Sequence, residues 1–238
     1  MYQYPSNFNS PFEPTSLADF AFSDDASQLQ LESIVNGRLK FPVFGKNAIC
    51  IWGAYGSGKS TLALLLPQML DRSANLVGTM RSPLFSAEKF WELTECAMGN
   101  NSVTLLNEIN HRSKNQMACS PSGWHYEILD EVDNLTAAAQ ASLKTTITSA
   151  NSTIFVMTTN HLNKLDKGII DRSILVEMNQ PKPEALVPIA QRFFQIMGLT
   201  GNEVPAEHFE KLAKASRGSM REFGTAVATL GASLGGVI

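Results

Sequence analysis

Apolar residues recur along this chain in two rhythms. Short unbroken runs, Ala48-Ile49-Cys50-Ile51-Trp52 and Thr153-Ile154-Phe155-Val156-Met157-Thr158, have the length and composition of strands buried on both faces. Trp124 to Leu129, Ser102 to Leu106 (ending at Asn107) and Ile174 to Glu177 read as three more strands. Helical spacing marks Ala26 to Asn36, the stretch from Leu62 to Leu66, Ala87 to Met98 through Phe90, Trp91 and Leu93, and Thr136 to Ala150, capped by Thr136 or Asn134. Pro67 is expected to bend or end its helix near Leu66, leaving Asp71 to Met80 as a mixed connection. His125 and Glu127 are unusually polar for a central strand, which argues against burial of its middle. Strands alternating with helices predict an α/β fold, a five-stranded parallel sheet flanked by helices.

The two ends read differently. Met1 to Pro14 has no periodicity and is expected to be an extended arm. Between Thr15 and Phe22, the residues Leu17, Phe20 and Phe22 cluster just ahead of the first helix; they either wrap an adenine base or pack the domain. Pro181 and Pro183 mark a boundary, beyond which Glu184 to Met197, Pro205 to Ser216 and Ser219 to about Leu234 are helical. The expected division is an arm over residues 1–14, a core over 15–180 and a small helical lid over 181–238.

Composition narrows the class. A chain of 238 residues with 44% hydrophobic content can bury a full core. Its net charge of −3 argues against a general electrostatic grip on nucleic acid, so any such contact must come from a local patch. The most basic local run is His111-Arg112-Ser113-Lys114-Asn115-Gln116. Cys50, Cys96 and Cys119 are far apart and follow no ligand spacing, which suggests reduced thiols in a cytoplasmic protein. No run has the length of a membrane span, and the first residues do not resemble a secretion signal, so the expected location is inside the cell.

The chemistry centres on Gly53-Ala54-Tyr55-Gly56-Ser57-Gly58-Lys59-Ser60-Thr61, directly after the first strand. It matches the phosphate-loop pattern G-x-x-x-x-G-K-[ST]. Glycines let successive N–H groups turn toward phosphate oxygens, and a helix N-terminus behind them adds positive potential. Lys59 would reach the β- and γ-phosphates, and Ser60 would supply a hydroxyl to Mg²⁺. Asp130-Glu131 closes the strand from Trp124, where an open α/β sheet carries its chemistry. Asp130 is suited to Mg²⁺ and Glu131 to orienting and deprotonating a water. The strand–helix–strand spacing puts Asn160 beside these carboxylates, placed to bond the γ-phosphate or the water. The expected ligands are a nucleoside triphosphate and Mg²⁺.

These motifs, in this order, with Asp171-Arg172 and Gly218-Ser219-Met220-Arg221 after them, resemble the AAA+ ATPases. Within that family they most resemble the small subunits of replication-factor-C-like clamp loaders. Leu129-Asp130-Glu131-Val132-Asp133-Asn134-Leu135-Thr136 is similar to their Walker B strand, and Pro14-Thr15-Ser16-Leu17-Ala18-Asp19-Phe20 to their adenine-contacting segment. The resemblance implies ATP as the triphosphate, a P-loop AAA+ fold with a helical lid, Asn160 as sensor 1 and Arg221 as sensor 2. It also implies that Arg172 acts on ATP held by the next subunit, that Phe22 lies by the nucleotide, and that Asn107 falls near the polar switch that idles the glutamate. Family members point the loop and helix corresponding to Arg112, Lys114 and Lys144 toward DNA.

The chain stops at the lid, where clamp loaders continue into a helical collar. The implied function is an oligomeric ATPase, a homo- or hetero-oligomeric ring or spiral, that assembles or remodels a protein complex on DNA in replication, with a sliding clamp or another replication protein as partner. The alternatives are an ATP-dependent scaffold or filament on DNA of the helicase-loading or transposition type, and a viral superfamily 3 helicase. That last class usually sets loop and carboxylates closer together than they are here, and lacks the lid arginine.

Overall fold

The computed structural model describes residues 11–76, 91–96, 103–115, 120, 122–200 and 204–237. In chain order the elements are α1 (Asp25–Val35), β1 (Ala48–Trp52), α2 (Lys59–Leu76), β2 (Trp91–Glu95), α3 (Val103–Asn115), β3 (His125–Asp130), α4 (Ala137–Ser149), β4 (Thr153–Thr159), α5 (Lys167–Asp171) and β5 (Ser173–Glu177). Three helices follow: α6 (Pro183–Ile196), α7 (Ala206–Ala215) and α8 (Met220–Ser233). The five strands form one parallel sheet in the order β2-β3-β4-β1-β5.

Period-two alternation divides the sheet's side chains between two cores. Ile49, Ile51, Tyr126, Ile128, Ile154 and Val156 face α1 and α2. Ala48, Cys50, Leu129, Phe155 and Met157 face the other way, toward α3, α4 and α5. A third cluster lies outside the sheet, where Phe194, Phe209, Phe223 and Val227 tie α6, α7 and α8 together. Both faces of the sheet are thus covered, which is why its central strands are nearly all apolar.

The structure departs from the periodicity in four places. Pro67 does not end its helix: α2 runs on to Leu76 with the proline inside. Leu62, Ala63, Leu66 and Leu70 form a continuous buried face across it, and burying each leucine stabilises by about 1.5–3 kcal/mol, enough to offset the roughly 3 kcal/mol a proline costs. The stretch expected as a helix from Ala87 holds β2, an edge strand paired in register with β3 from Trp91↔Tyr126 to Glu95↔Asp130. The stretch expected as a strand from Ser102 holds α3, with Leu106 and Ile109 buried one helical turn apart. A short apolar run suits either state, and tertiary pairing decided both cases. Phe90, Ser102 and Cys119 lie outside the described residues.

The fourth departure is the polar middle of β3. His125 and Glu127 are buried, Glu127 completely. Both point under α3, where Arg112 forks onto the carboxylate: Nε donates to Oε1 at 2.9 Å and Nη2 to Oε2 at 3.2 Å. His125 Nε2 is 3.2 Å from Oε1, and Arg112 Nη2 also reaches Thr94 Oγ1 at 3.4 Å. A bidentate guanidinium is what permits a carboxylate in a central strand.

Candidate functional site

The loop after β1 is shaped by its glycines. Gly53 sits against β5's exit: an added Cβ would lie 2.1 Å from the Met178 carbonyl oxygen. Gly56 and Gly58 take φ of 73° and 95°, a region that favours glycine. Between them the Ser57 hydroxyl is buried without a hydrogen-bond partner. Lys59 opens α2 and is only 7% exposed, its Nζ donating to the Ala54 carbonyl at 2.6 Å. Burial pushes its pKa down, although the negative charges of Asp130, Asp133 and Glu131 pull the other way.

Three strand ends meet here because β4 lies between β1 and β3. Ser60 Oγ donates to both carboxylate oxygens of Asp130, at 2.9 and 3.1 Å. Thr158, from β4, donates its hydroxyl to Asp130 Oδ1 and accepts from the Glu131 amide at 3.0 Å. Glu131 is in the left-handed region at φ 57°, which turns the chain out of the strand, and Asn134 Nδ2 donates to its Oε2 at 3.1 Å. Asp133 accepts from Thr159 Oγ1 at 2.9 Å and from the Asn160 amide at 3.4 Å. Thr158, Thr159 and Asp133 went unremarked in the sequence as site residues. Their signals are adjacency to Asn160 and, for Asp133, its place in the stretch similar to a Walker B strand.

One cavity of about 440 Å³ joins these groups. It is lined by the loop from Tyr55 to Thr61, by Glu131, Thr158 and Asn160, and by Ile189 and Phe193 of α6 with Met220 and Arg221 of α8. Ser219 caps α8, its Oγ accepting from the Glu222 amide at 3.2 Å. The Met220 amide donates to the Gly56 carbonyl at 2.9 Å, so the last helix starts on the phosphate loop itself. Of the two candidate aromatics, Phe20 lines the cavity, joined by Phe12 and Pro14. Phe22, expected by the nucleotide, does not line the cavity: it is buried in the core beside α1 and α2, two residues nearer the helix than Phe20.

Arg172 is elsewhere. It precedes β5, at the end of the sheet opposite the loop, with Nε on Thr148 Oγ1 at 2.8 Å and Nη1 on the Gly168 carbonyl at 2.9 Å. It is partly exposed. Arg112, expected in a DNA-facing loop, lies on α3 with its guanidinium turned inward to Glu127. Lys144 lies on α4 and pairs with Asp166, 3.3 Å away. Lys114 is also on α3, but its side chain lies outside the described residues. Asn107 is an exposed residue of α3.

A magnesium nucleotide fits this donor set. The cavity is of ligand size, Ser57 has an unpartnered hydroxyl inside the loop, and Lys59 spends its charge on a carbonyl that a phosphate would replace. Magnesium needs one or two carboxylates and phosphate oxygens rather than a cage of protein ligands. Among the described residues no cluster of three or more His, Cys, Asp or Glu is arranged to hold a metal.

The model of the ATPase family associated with various cellular activities (AAA) matches residues 49–179. The chain is 27% identical to a replication factor C small subunit 1 of Pyrobaculum arsenaticum over 79% of its own length and 53% of the relative's. It is 24% identical to a replication factor C small subunit of Thermoplasma acidophilum over 89% of this chain and 59% of that one. It therefore spans a little over half the length of these relatives. Its fold is similar to that of the Thermotoga maritima RuvB Holliday junction branch migration motor, with TM-score 0.63 at 18% identity over 91% of this chain and 64% of that one.

Proposed function

Because the chain belongs to the ATPase family associated with various cellular activities, we propose that it binds and hydrolyses ATP with Mg²⁺ as an oligomer. Its work would be clamp-loader-like assembly or remodelling of a protein complex on DNA. The observation that carries the reading is the convergence of loop, Glu131, Asn160 and Arg221 on one cavity, with Asp130 bonded to the loop's Ser60, while Arg172 stands at the opposite end of the sheet. The similarity to replication factor C small subunits supports the replication role; the partner in this reading is a sliding clamp or another replication protein.

In this reading Lys59 exchanges the Ala54 carbonyl for the β- and γ-phosphates. Magnesium, held by Ser60, Asp130 and phosphate oxygens, would supply charge to the developing transition state. Thr158 keeps Asp130 aligned and fixes the turn that aims Glu131 at a water; Asn134 holds the Glu131 carboxylate until then. Asn160 and Arg221 steady the γ-phosphate from two sides, and residues 181–238 act as a lid. Arg172 serves a neighbour's site. Arg112 is best read as structural, and Lys114 and Lys144 remain the candidates for DNA.

Hydrolysis per subunit, measured across a dilution series, is the direct test. An arginine supplied by a neighbour contributes roughly 10³–10⁵ in rate, so activity should collapse on dilution below the assembly range. A rate per subunit independent of concentration while the protein assembles would refute the shared site.

A further inference from the structure

Two pieces of chain far apart in sequence supply apolar lining to the cavity. Phe12, Pro14 and Phe20 come from the segment ahead of α1, Ile189 and Phe193 from α6. Arg192 joins them. Its Nη1 lies 2.7 Å from Asp19 Oδ1, and its Nη2 donates to the Glu13 carbonyl at 2.8 Å. Beside it the Phe12 and Phe193 rings meet with centroids 4.7 Å apart.

Asp19 is wired to the leading segment by its other oxygen. Oδ2 accepts from the amides of Thr15 and Ser16 at 2.8 and 2.9 Å and from their hydroxyls at 3.2 and 3.1 Å. Burial alone would raise its pKa, but these amides and Arg192 outweigh that and hold it below the usual carboxylate value. The ion pair is mostly covered, at 27% and 12% side-chain exposure, so water screens it less than an ordinary surface pair.

Arg192 does not line the cavity; it acts on residues that do. We infer that Arg192, through Asp19 and Glu13, clasps residues 12–20 against α6 and so shapes an apolar slot for the flat base of the nucleotide. The base, and not the phosphates alone, then contributes to affinity. This rests on the cavity being the ATP site.

The test is calorimetric titration of ATP and of inorganic tripolyphosphate, both with Mg²⁺, into the full chain and into Arg192→Ala, Arg192→Lys and Asp19→Asn. Arg192→Ala and Asp19→Asn should each weaken ATP about tenfold, in the range of losing one base–aromatic stack, while tripolyphosphate binding stays as in the parent. Arg192→Lys should recover part of the loss, since an ammonium keeps Asp19 but does not span to Glu13 as a fork does. Unchanged ATP affinity overturns the clasp. So does an equal fall for both ligands, which would mean Arg192 only holds α6 in place. If the parent chain binds neither ligand, the site reading itself is overturned, and that outcome is distinct from both others.

Discussion

The separation of Arg172 from its own phosphate loop leads to a mixing experiment. Ser173 is in register with Ala48 at the start of β1, and Gly53 begins the loop just past that strand's other end. At about 3.3 Å per residue the two are roughly 16 Å apart along the strands. The guanidinium is also turned aside, bonded to Thr148 on α4 and to the Gly168 carbonyl. An Arg172 that contributes to hydrolysis must therefore do so in another subunit. Glu131→Gln and Arg172→Ala, prepared separately, should each lose about 10³-fold or more in turnover. Mixed in equal amounts and allowed to exchange, half the sites keep Glu131 and half of those face an intact Arg172, so about a quarter of the parent rate should return. The assay is steady-state phosphate release against mixing ratio. A mixture no faster than the average of its two parts, or Arg172→Ala at full activity, would refute the shared site. Losing the Arg172 hydrogen bonds costs only about 1 kcal/mol each, so a matched unfolding curve separates catalysis from stability.

At pH near or above its lowered pKa, Lys59 should take up a proton as nucleotide binds. Burial lowers its pKa in the free protein and a triphosphate would raise it again, so ATP affinity should fall as pH rises through the lowered value; titration in buffers of different ionisation enthalpy would reveal the proton, and its absence would count against this. Arg112→Ala should destabilise the fold near the lower end of the roughly 3–5 kcal/mol that breaking a buried pair costs, because among the described residues Glu127 would keep only His125, and Arg112 is partly exposed; chemical denaturation measures it, and an unchanged midpoint would show the pair is dispensable. Burial also pushes the Cys50 and Cys96 thiols up to about 12, so both should resist alkylation at neutral pH in the folded chain and react after unfolding; rapid native-state labelling at either position would contradict the buried sheet face.

Much of this protein was legible from neighbouring residues alone. The phosphate loop, the acidic end of β3, the apolar runs of β1 and β4 and the three terminal helices are each specified by consecutive residues, whose chemistry needs no distant partner to be recognised. Other features were decided only when the chain folded. Pro67 stays inside α2 because the sheet rewards a buried face on both sides of it, and Trp91 to Glu95 is a strand because β3 offers it an edge. Glu127 is buried because a guanidinium fifteen residues back along the chain arrives over it. The same holds where the segment ahead of α1 meets α6: Asp19 and Arg192 are unremarkable charges in sequence and pair only when α6 packs over that segment. Local pattern encodes what a residue does with its neighbours; burial and pairing energies are set by whatever the rest of the molecule brings alongside.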